Sequence, residues 1–569
     1  MKKLLRVDME KGSCSLQEYP EKWSHYGGRG LIARILLDEV NPRVHPLAAG
    51  NELILATGLL DEYASSLRLS IGGKSPLTGG IKESNVGGMA AQMMLRCGLR
   101  CVIISGKPKN NSDLWVLVIE PDDVKIYKAS ELKGLGNNDT CNKLQEKYPG
   151  AAILSIGPAG EYLMAGACIA GTDMDGISSR HAGRGGLGAL MGSKGIKAIV
   201  LNGGKRKRND SKRDELATYL KEFNSILLND PSSGEALPTL GTAMMVDSIN
   251  GACGLPTRAF RQGRSEEAAH LNANSVRETL NHGGTMGHSC QTGCVIRCSN
   301  IYHGRDGKKI VSALEYETIG LMGSNLGIFD LDEVAKLNFI CDDVGLDTIE
   351  TGASIGVLMD MGILSFGDSK GAYKLIQEVY SGSAIGRIIG AGSETTGRTY
   401  GSYRVPAVKG QAMPAYDPRT YKGSGVTFAT SCMGADHTCG NVLAGDYANG
   451  KEKVRPSIEG EYLEMITDIL GICRFTKGPI LKKRKELLPE FVSAVNGWNI
   501  DYEGLIDLCK EILKLESEFN EKAGFGPGQD RIPFFMMEEP LESCDRVFDV
   551  TDDDLDKAAS ILAGKENIS

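Results

Sequence analysis

Short apolar runs separated by glycine-rich turns dominate the first 200 residues: ELILATGLL from Glu52, CVIISGK from Cys101, LWVLVIE from Leu114, AAILSIGPAG from Ala151 and KAIVLNGG from Lys197. Runs of this length, bounded by glycine and polar clusters, predict strands. From about Arg213 the spacing lengthens. In LDEVAKLNFICDDVG (from Leu331) and LIDLCKEILKLESEF (from Leu505) apolar residues recur every three or four positions, which predicts helices with one buried face. The expected fold class is therefore α+β, with a β-rich N-terminal domain over residues 1–205, a helical domain over 213–410 and a second helical domain over 411–569. No internal tandem repeat is expected.

Length and charge narrow the function classes. At 569 residues the chain exceeds one ordinary domain and can bury extensive core. A formal charge of −8 argues against general binding to nucleic acid or membrane surfaces, and the basic stretch GGKRKRNDSKR, 203–213, reads as a solvated linker. The basic start MKKLLRVDMEKG meets charged residues before any signal-length apolar core, and no apolar run reaches membrane-spanning length. A cytoplasmic location follows as the expectation.

Fifteen cysteines in a reducing compartment are expected as thiols. Cys97, Cys101 and Cys168 sit in apolar surroundings and read as small core residues. Cys290, Cys294 and Cys298, in HSCQTGCVIRCSN, are different: they are clustered like metal ligands. The same i, i+4, i+8 spacing would line one side of a helix, but Gly293 interrupts helical propensity there. The glycines concentrate in YGGRG, IGGKSPLTGG, SNVGG and AGRGGLGALMGSKG. Such loops allow close backbone approach to a ligand, and Arg29, Arg68 and Arg184 stand in or beside them, suited to phosphate or a polar heterocycle. None fits a phosphate loop or a dinucleotide fingerprint.

With these strings in view, the chain resembles the tungsten-containing aldehyde:ferredoxin oxidoreductases nearly end to end. The resemblance runs through GGRGL, SSLRLSIGGKSPLTGGIKESNVGG, SIGPAGEYLMAGACIA, AGRGGLGALMGSKGIKAI, LEYETIGLMGSNLGI, DDVGLD, MGADH and DILGIC. It implies a tungsten or molybdenum ion held by two molybdopterin-type pterins, one [4Fe-4S] cluster beside them, and a magnesium ion as an optional bridge between pterin phosphates. A β-rich base would carry the pterins and two helical domains would cover them. Position by position, the resemblance assigns pterin contacts to Arg68, Asn85, Gly87 and Arg184. It assigns further contacts to Asp342, Gly345, Leu346 and Asp347 of the first DxxG motif, and to Asp468, Gly471 and Ile472 of the second. Read from the residues alone, Gly345 is equally a helix C-cap.

The resemblance makes Cys473 the fourth cluster ligand beside Cys290, Cys294 and Cys298, although the family spacing is CxxCxxxC and this chain has CxxxCxxxC. It places His437 and a glutamate of LEYET, Glu315 or Glu317, at the reacting centre. The implied activity is oxidation of aldehydes to carboxylic acids, with single electrons leaving to ferredoxin or a small iron-sulfur subunit, in a homodimer or hetero-oligomer. An ExxH match occurs only at Glu267–His270, away from the family's bridging position, so no metal-bridged dimer is expected. Met433 stands where many members have arginine. This leaves a second enzymatic reading, the active-site subunit of an ATP-independent benzoyl-CoA reductase, and a non-enzymatic one, an electron-transfer or assembly subunit. VPAVKGQAMPAYDPR and DRIPFFMMEEP are expected to line the substrate pocket.

Overall fold

The computed structural model describes residues 3–567 apart from 111, 205–210 and 444–448; most of the expected basic linker lies outside the described residues. The predicted strands form. Six strands, β1 (Lys3–Asp8), β2 (Ser13–Glu18), β3 (Leu53–Thr57), β4 (Leu69–Lys74), β5 (Ile81–Val86) and β6 (Leu99–Ser105), make one sheet in the order β2-β1-β6-β3-β4-β5. Six more make a second sheet: β7 (Trp115–Ile119), β8 (Val124–Lys128), β9 (Ala152–Ser155), β10 (Ile169–Thr172), β11 (Ser178–Ala182) and β12 (Ile196–Leu201). Their order is β11-β10-β9-β12-β7-β8.

These are the same arrangement twice. Adding six to each strand number of the first sheet reproduces the second, including the parallel pairing of first with sixth strand (β1 with β6, β7 with β12) in otherwise antiparallel ladders. Helices Gly28–Glu39 and Asn137–Lys147 fall between second and third strands; Ala90–Arg96 and Leu187–Ser193 fall between fifth and sixth. The expectation of no internal repeat is overturned. The two copies share too few residues for self-similarity to be evident. One trace is the repeated spacing of Gly58 to Glu62-Tyr63 and of Gly157 to Glu161-Tyr162.

Alternation packs the repeats together. Leu5, Val7, Leu53, Leu55, Val102 and Ile104 share one core with Leu117, Leu154, Ile199 and Leu201, whereas Leu4, Ile54 and Ile103 point the other way into the core beneath the helices. That second core is covered by long helices, among them Leu331–Val344, Thr348–Asp360, Val454–Leu470 and Tyr502–Ala523. YGGRG is not a loop: Gly28-Arg29-Gly30 is the first turn of a helix, and its glycine fits because a Cβ at Gly28 would lie 2.0 Å from the Asp468 carbonyl. Among the described residues no helix is long and apolar enough to cross a membrane.

Candidate active site

Each repeat receives one DxxG loop from the helical part of the chain. Helix Leu331–Val344 stops at Gly345 (φ 80°) and helix Val454–Leu470 at Gly471 (φ 70°), left-handed C-caps that glycine adopts without strain. The loops dock identically. Leu346 bridges Ala167 while Cys168 N–H donates to the Gly345 carbonyl at 2.9 Å; Ile472 bridges Leu67 while Arg68 N–H donates to the Gly471 carbonyl at 2.9 Å. Gly157 and Gly58 make room: a Cβ on either would lie 2.3 or 2.2 Å from the backbone of the facing loop.

Between the loops and the sheets lies a cavity of about 720 Å³. It is lined by Arg68, Asn85, Arg184, Asp342, Leu346, Asp347, Asp468, Glu315, Glu317, His437, Cys290, Cys298 and Cys473, residues from six separate stretches of chain. Gly87, Gly345, Gly471, Ile472 and Cys294 stand behind this wall. Gly87 backs Arg68, whose Nη1 would be 2.9 Å from a Cβ there.

The repeat register also brings in two residues that sequence reasoning missed. Asn85 faces Ser70 across β4 and β5, and His181 faces Ala170 across β10 and β11. Ser84 corresponds likewise to Arg180. All four line the cavity. Among the described residues, Arg180 Nε and Nη2 and His181 Nε2 are buried without a hydrogen bond, as are Glu317 Oε1, His437 Nδ1 and Asn441 Oδ1. Buried polar atoms are rarely left unpaired, so this concentration marks a wall shaped for a polar ligand. Only the repeat makes Arg180 and His181 stand out from their neighbours.

The four cysteines converge. Arg68 Nη2 lies 3.8 Å from Cys290 Sγ and 3.7 Å from Cys473 Sγ, and Cys294 hydrogen-bonds Cys290. The 290–298 segment is a loop, not a helix; Gly293 has φ 72° and Gly88 N–H donates 3.0 Å to the Cys290 carbonyl. Cys290 is held far below the ordinary thiol range by the Cys294 hydrogen bond, aided by Arg68 and Arg180, while burial pushes Cys298 up. Among the described residues no three His, Cys, Asp or Glu side chains close around a point as a single metal ion requires.

The carboxylates divide by environment. Glu315 is fully engaged, accepting from Thr242 Oγ1 at 2.5 Å and Ser299 Oγ at 2.9 Å. Glu317 accepts from Ala415 N–H at 2.8 Å through Oε2 only, and burial pushes it up to about 7. His437 is pushed down to about 3 by burial, against the opposing pull of Asp436, whose carboxylate lies 3.7 Å from Nδ1. Arg474 donates to the His437 carbonyl at 2.6 Å. Asp436 pairs with Lys82, whose stem fits because residue 185 is glycine, and Lys82 Nζ also lies 3.7 Å from Met433 Sδ.

Arg184 lines the cavity and is also hydrogen-bonded within the protein. It donates to Asp347 (3.1 Å) and to the carbonyls of Ala435 (2.6 Å) and Ala412 (2.5 Å), tying base to cover. Asp347 is equally occupied, capping the next helix through Ile349 N–H. Asp342 gives Oδ2 to Asn338 and Asp468 gives Oδ2 to Arg29, which leaves Oδ1 of each without a hydrogen bond among the described residues. Of the expected substrate-lining segments, the first contributes Tyr416 to this cavity, but its Val405, Ala407, Val408, Lys409 and Gly410 line a separate surface cleft together with Ile532 and Pro533 of the second.

Residues 4–203 match the family described as "Aldehyde ferredoxin oxidoreductase, N-terminal domain", and residues 218–560 that described as "Aldehyde ferredoxin oxidoreductase, domains 2 & 3". The chain belongs to the aldehyde ferredoxin oxidoreductase family. It is 30% identical over 577 residues to the tungsten-containing aldehyde ferredoxin oxidoreductase of Thermococcus kodakarensis, covering 95% of this chain and 92% of that protein. The Pyrococcus furiosus enzyme of the same name is 30% identical over 576 residues, with the same coverage. Another relative, at 29% identity over 547 residues (88% and 82% covered), is the aliphatic sulfonate oxidoreductase, WOR-like subunit, of Pyrococcus furiosus. This family member also shares its fold with a chain of the active site complex BamBC of benzoyl coenzyme A reductase in complex with 1,5-dienoyl-CoA. The TM-score is 0.79 at 21% identity, with 99% and 94% covered.

Proposed function

We propose that this oxidoreductase converts aldehydes to carboxylic acids at a tungsten or molybdenum centre held by two pterins, and passes the electrons singly through a four-thiolate iron-sulfur cluster. The observation that carries the reading is the doubled cradle: two equivalent DxxG loops on two equivalent sheets, one on each side of a cavity whose wall holds unpartnered polar atoms. Two like ligands fit two like cradles. Asp342 with Arg180 and His181 would hold one pterin, and Asp468 with Asn85 and Arg68 the other, each aspartate accepting from ring N–H groups through its remaining oxygen.

Cys290, Cys294, Cys298 and Cys473 would hold a [4Fe-4S] cluster, whose four thiolates surround a larger body than a single ion. Cys473 terminates the second DxxG motif, so cluster and pterin would meet through one short loop and Arg68. When bound, the metal centre supplies oxygen transfer and the two-electron oxidation, and the cluster releases electrons one at a time.

The protein's own contribution is proton handling and positioning. Glu317 fits a general base: Ala415 N–H anchors one oxygen, and Oε1 remains buried beside the cavity with an affinity near neutrality, where acid-base catalysis is most effective. His437 stays neutral across the physiological range and serves as a hydrogen-bonding group, held by Arg474 at its carbonyl. Glu315 supports the cysteine loop through Ser299.

Metal analysis of the purified protein, followed by aldehyde-dependent reduction of benzyl viologen, tests the reading. Tungsten or molybdenum with about four irons per chain and aldehyde-dependent turnover is expected. Iron alone would indicate an electron-transfer subunit, and turnover of benzoyl-CoA without aldehyde oxidation would replace the proposed substrate.

A further inference from the structure

The chain is acidic overall, with 64 Lys and Arg against 72 Asp and Glu. Yet from Arg474 to Lys485, directly after Cys473, RFTKGPILKKRK carries six cations and no acid. Arg474 and Lys477 turn inward to Glu464, at 2.9 and 2.7 Å, and Arg484 pairs with Glu222 and Glu490 at 2.6 and 2.7 Å. Lys482, Lys483 and Lys485 remain exposed; none takes part in an ion pair among the described residues, and Lys485 lies 4.6 Å over the Tyr502 ring. A helix dipole favours cations in the last turn, but Lys485 lies past the helix end and its neighbours are more numerous than capping requires.

The position of this charge matters as much as its sign. Cys473 is tied to the start of the basic segment: its carbonyl accepts from Thr476 N–H at 3.0 Å and Thr476 Oγ1 at 2.7 Å. Helix Lys477–Arg484 then runs for eight residues, about 12 Å, and Arg484 braces it against helix Ser211–Asn229 through Glu222. A rigid, short element thus connects a cluster cysteine to an exposed positive surface.

We propose that the face formed by Lys482, Lys483 and Lys485 is the docking surface for an acidic one-electron carrier protein of the iron-sulfur type. The inference rests on the proposed electron route through Cys473 and adds where that route meets its partner. Positive charge on a molecule of net negative charge favours the approach of a negative partner at this face over the acidic surfaces, so the carrier arrives beside the electron exit.

The test is charge reversal, Lys482→Glu with Lys483→Glu, in the complete protein with cofactors as isolated. Binding to an acidic ferredoxin is measured by surface plasmon resonance at low and high salt, and reduction rates are compared with benzyl viologen, which needs no protein interface. The expected result is a Kd and a KM for the ferredoxin raised by on the order of 10-fold at low salt, with the difference shrinking as salt screens it. Viologen reduction should be unchanged. Unaltered binding, or a loss independent of salt, would overturn the proposal; so would tighter, lysine-dependent binding to duplex DNA than to ferredoxin. Failure of the aldehyde reading has a different signature: neither protein would reduce viologen with aldehyde, while the ferredoxin binding difference would persist.

Discussion

Replacing Glu317 by Gln should separate stability from catalysis. The amide keeps a carbonyl oxygen for the Ala415 N–H but removes the charge that burial disfavours. Because the folded protein raises this carboxyl from 4.5 to about 7, it binds the proton more tightly than the unfolded chain does. The wild type is therefore unpenalised below pH 4.5, loses stability as pH rises, and carries the full cost above about 7. That cost is at most roughly 3 kcal/mol. Glu317→Gln should match wild type in thermal unfolding near pH 4.5 and unfold at a higher temperature at pH 8. Turnover should behave oppositely, falling on the order of 100-fold or more at pH 8 as a positioned base is lost. Wild-type activity should rise with pH through about 7, and the variant should lack that limb. Glu315→Gln serves as the control, since both Glu315 oxygens are already engaged by Thr242 and Ser299. A Glu317→Gln protein with normal turnover, or with no stability gain at pH 8, would refute the assignment.

His437→Ala should retain metal and iron content yet lose on the order of 100-fold in aldehyde oxidation, measured by viologen reduction beside elemental analysis; simultaneous loss of metal would show an assembly role instead. Cys473→Ala should abolish the four-iron signal in electron paramagnetic resonance of the reduced protein, and an unaltered cluster would remove Cys473 from the ligand set. Arg29→Met leaves Glu516 and Asp468 buried without their guanidinium partner, so denaturant unfolding should show a loss of about 3–5 kcal/mol.

Local chemistry was legible in the sequence wherever short-range pattern determines it. The strand runs, the two long helices and the C-cap role of Gly345 follow from residue type and spacing. So did family membership, because it rests on strings of consecutive residues. The repeat did not, since strand order and pairing can persist when few side chains do, and with it Arg180 and His181 went unseen. Nor did sequence distinguish Glu315 from Glu317. The two are separated in environment by long-range partners, Thr242 and Ser299 for one and Ala415 for the other. Arg184 shows the same limit from the other side. Beside a glycine loop it reads as suited to phosphate or a polar heterocycle, and nothing near it in sequence shows that the folded chain also joins it to Asp347 and two carbonyls from distant segments. Whether a buried polar atom meets a partner or is left for a ligand depends on which remote backbone groups the fold brings within about 3 Å, and only the tertiary structure decides that.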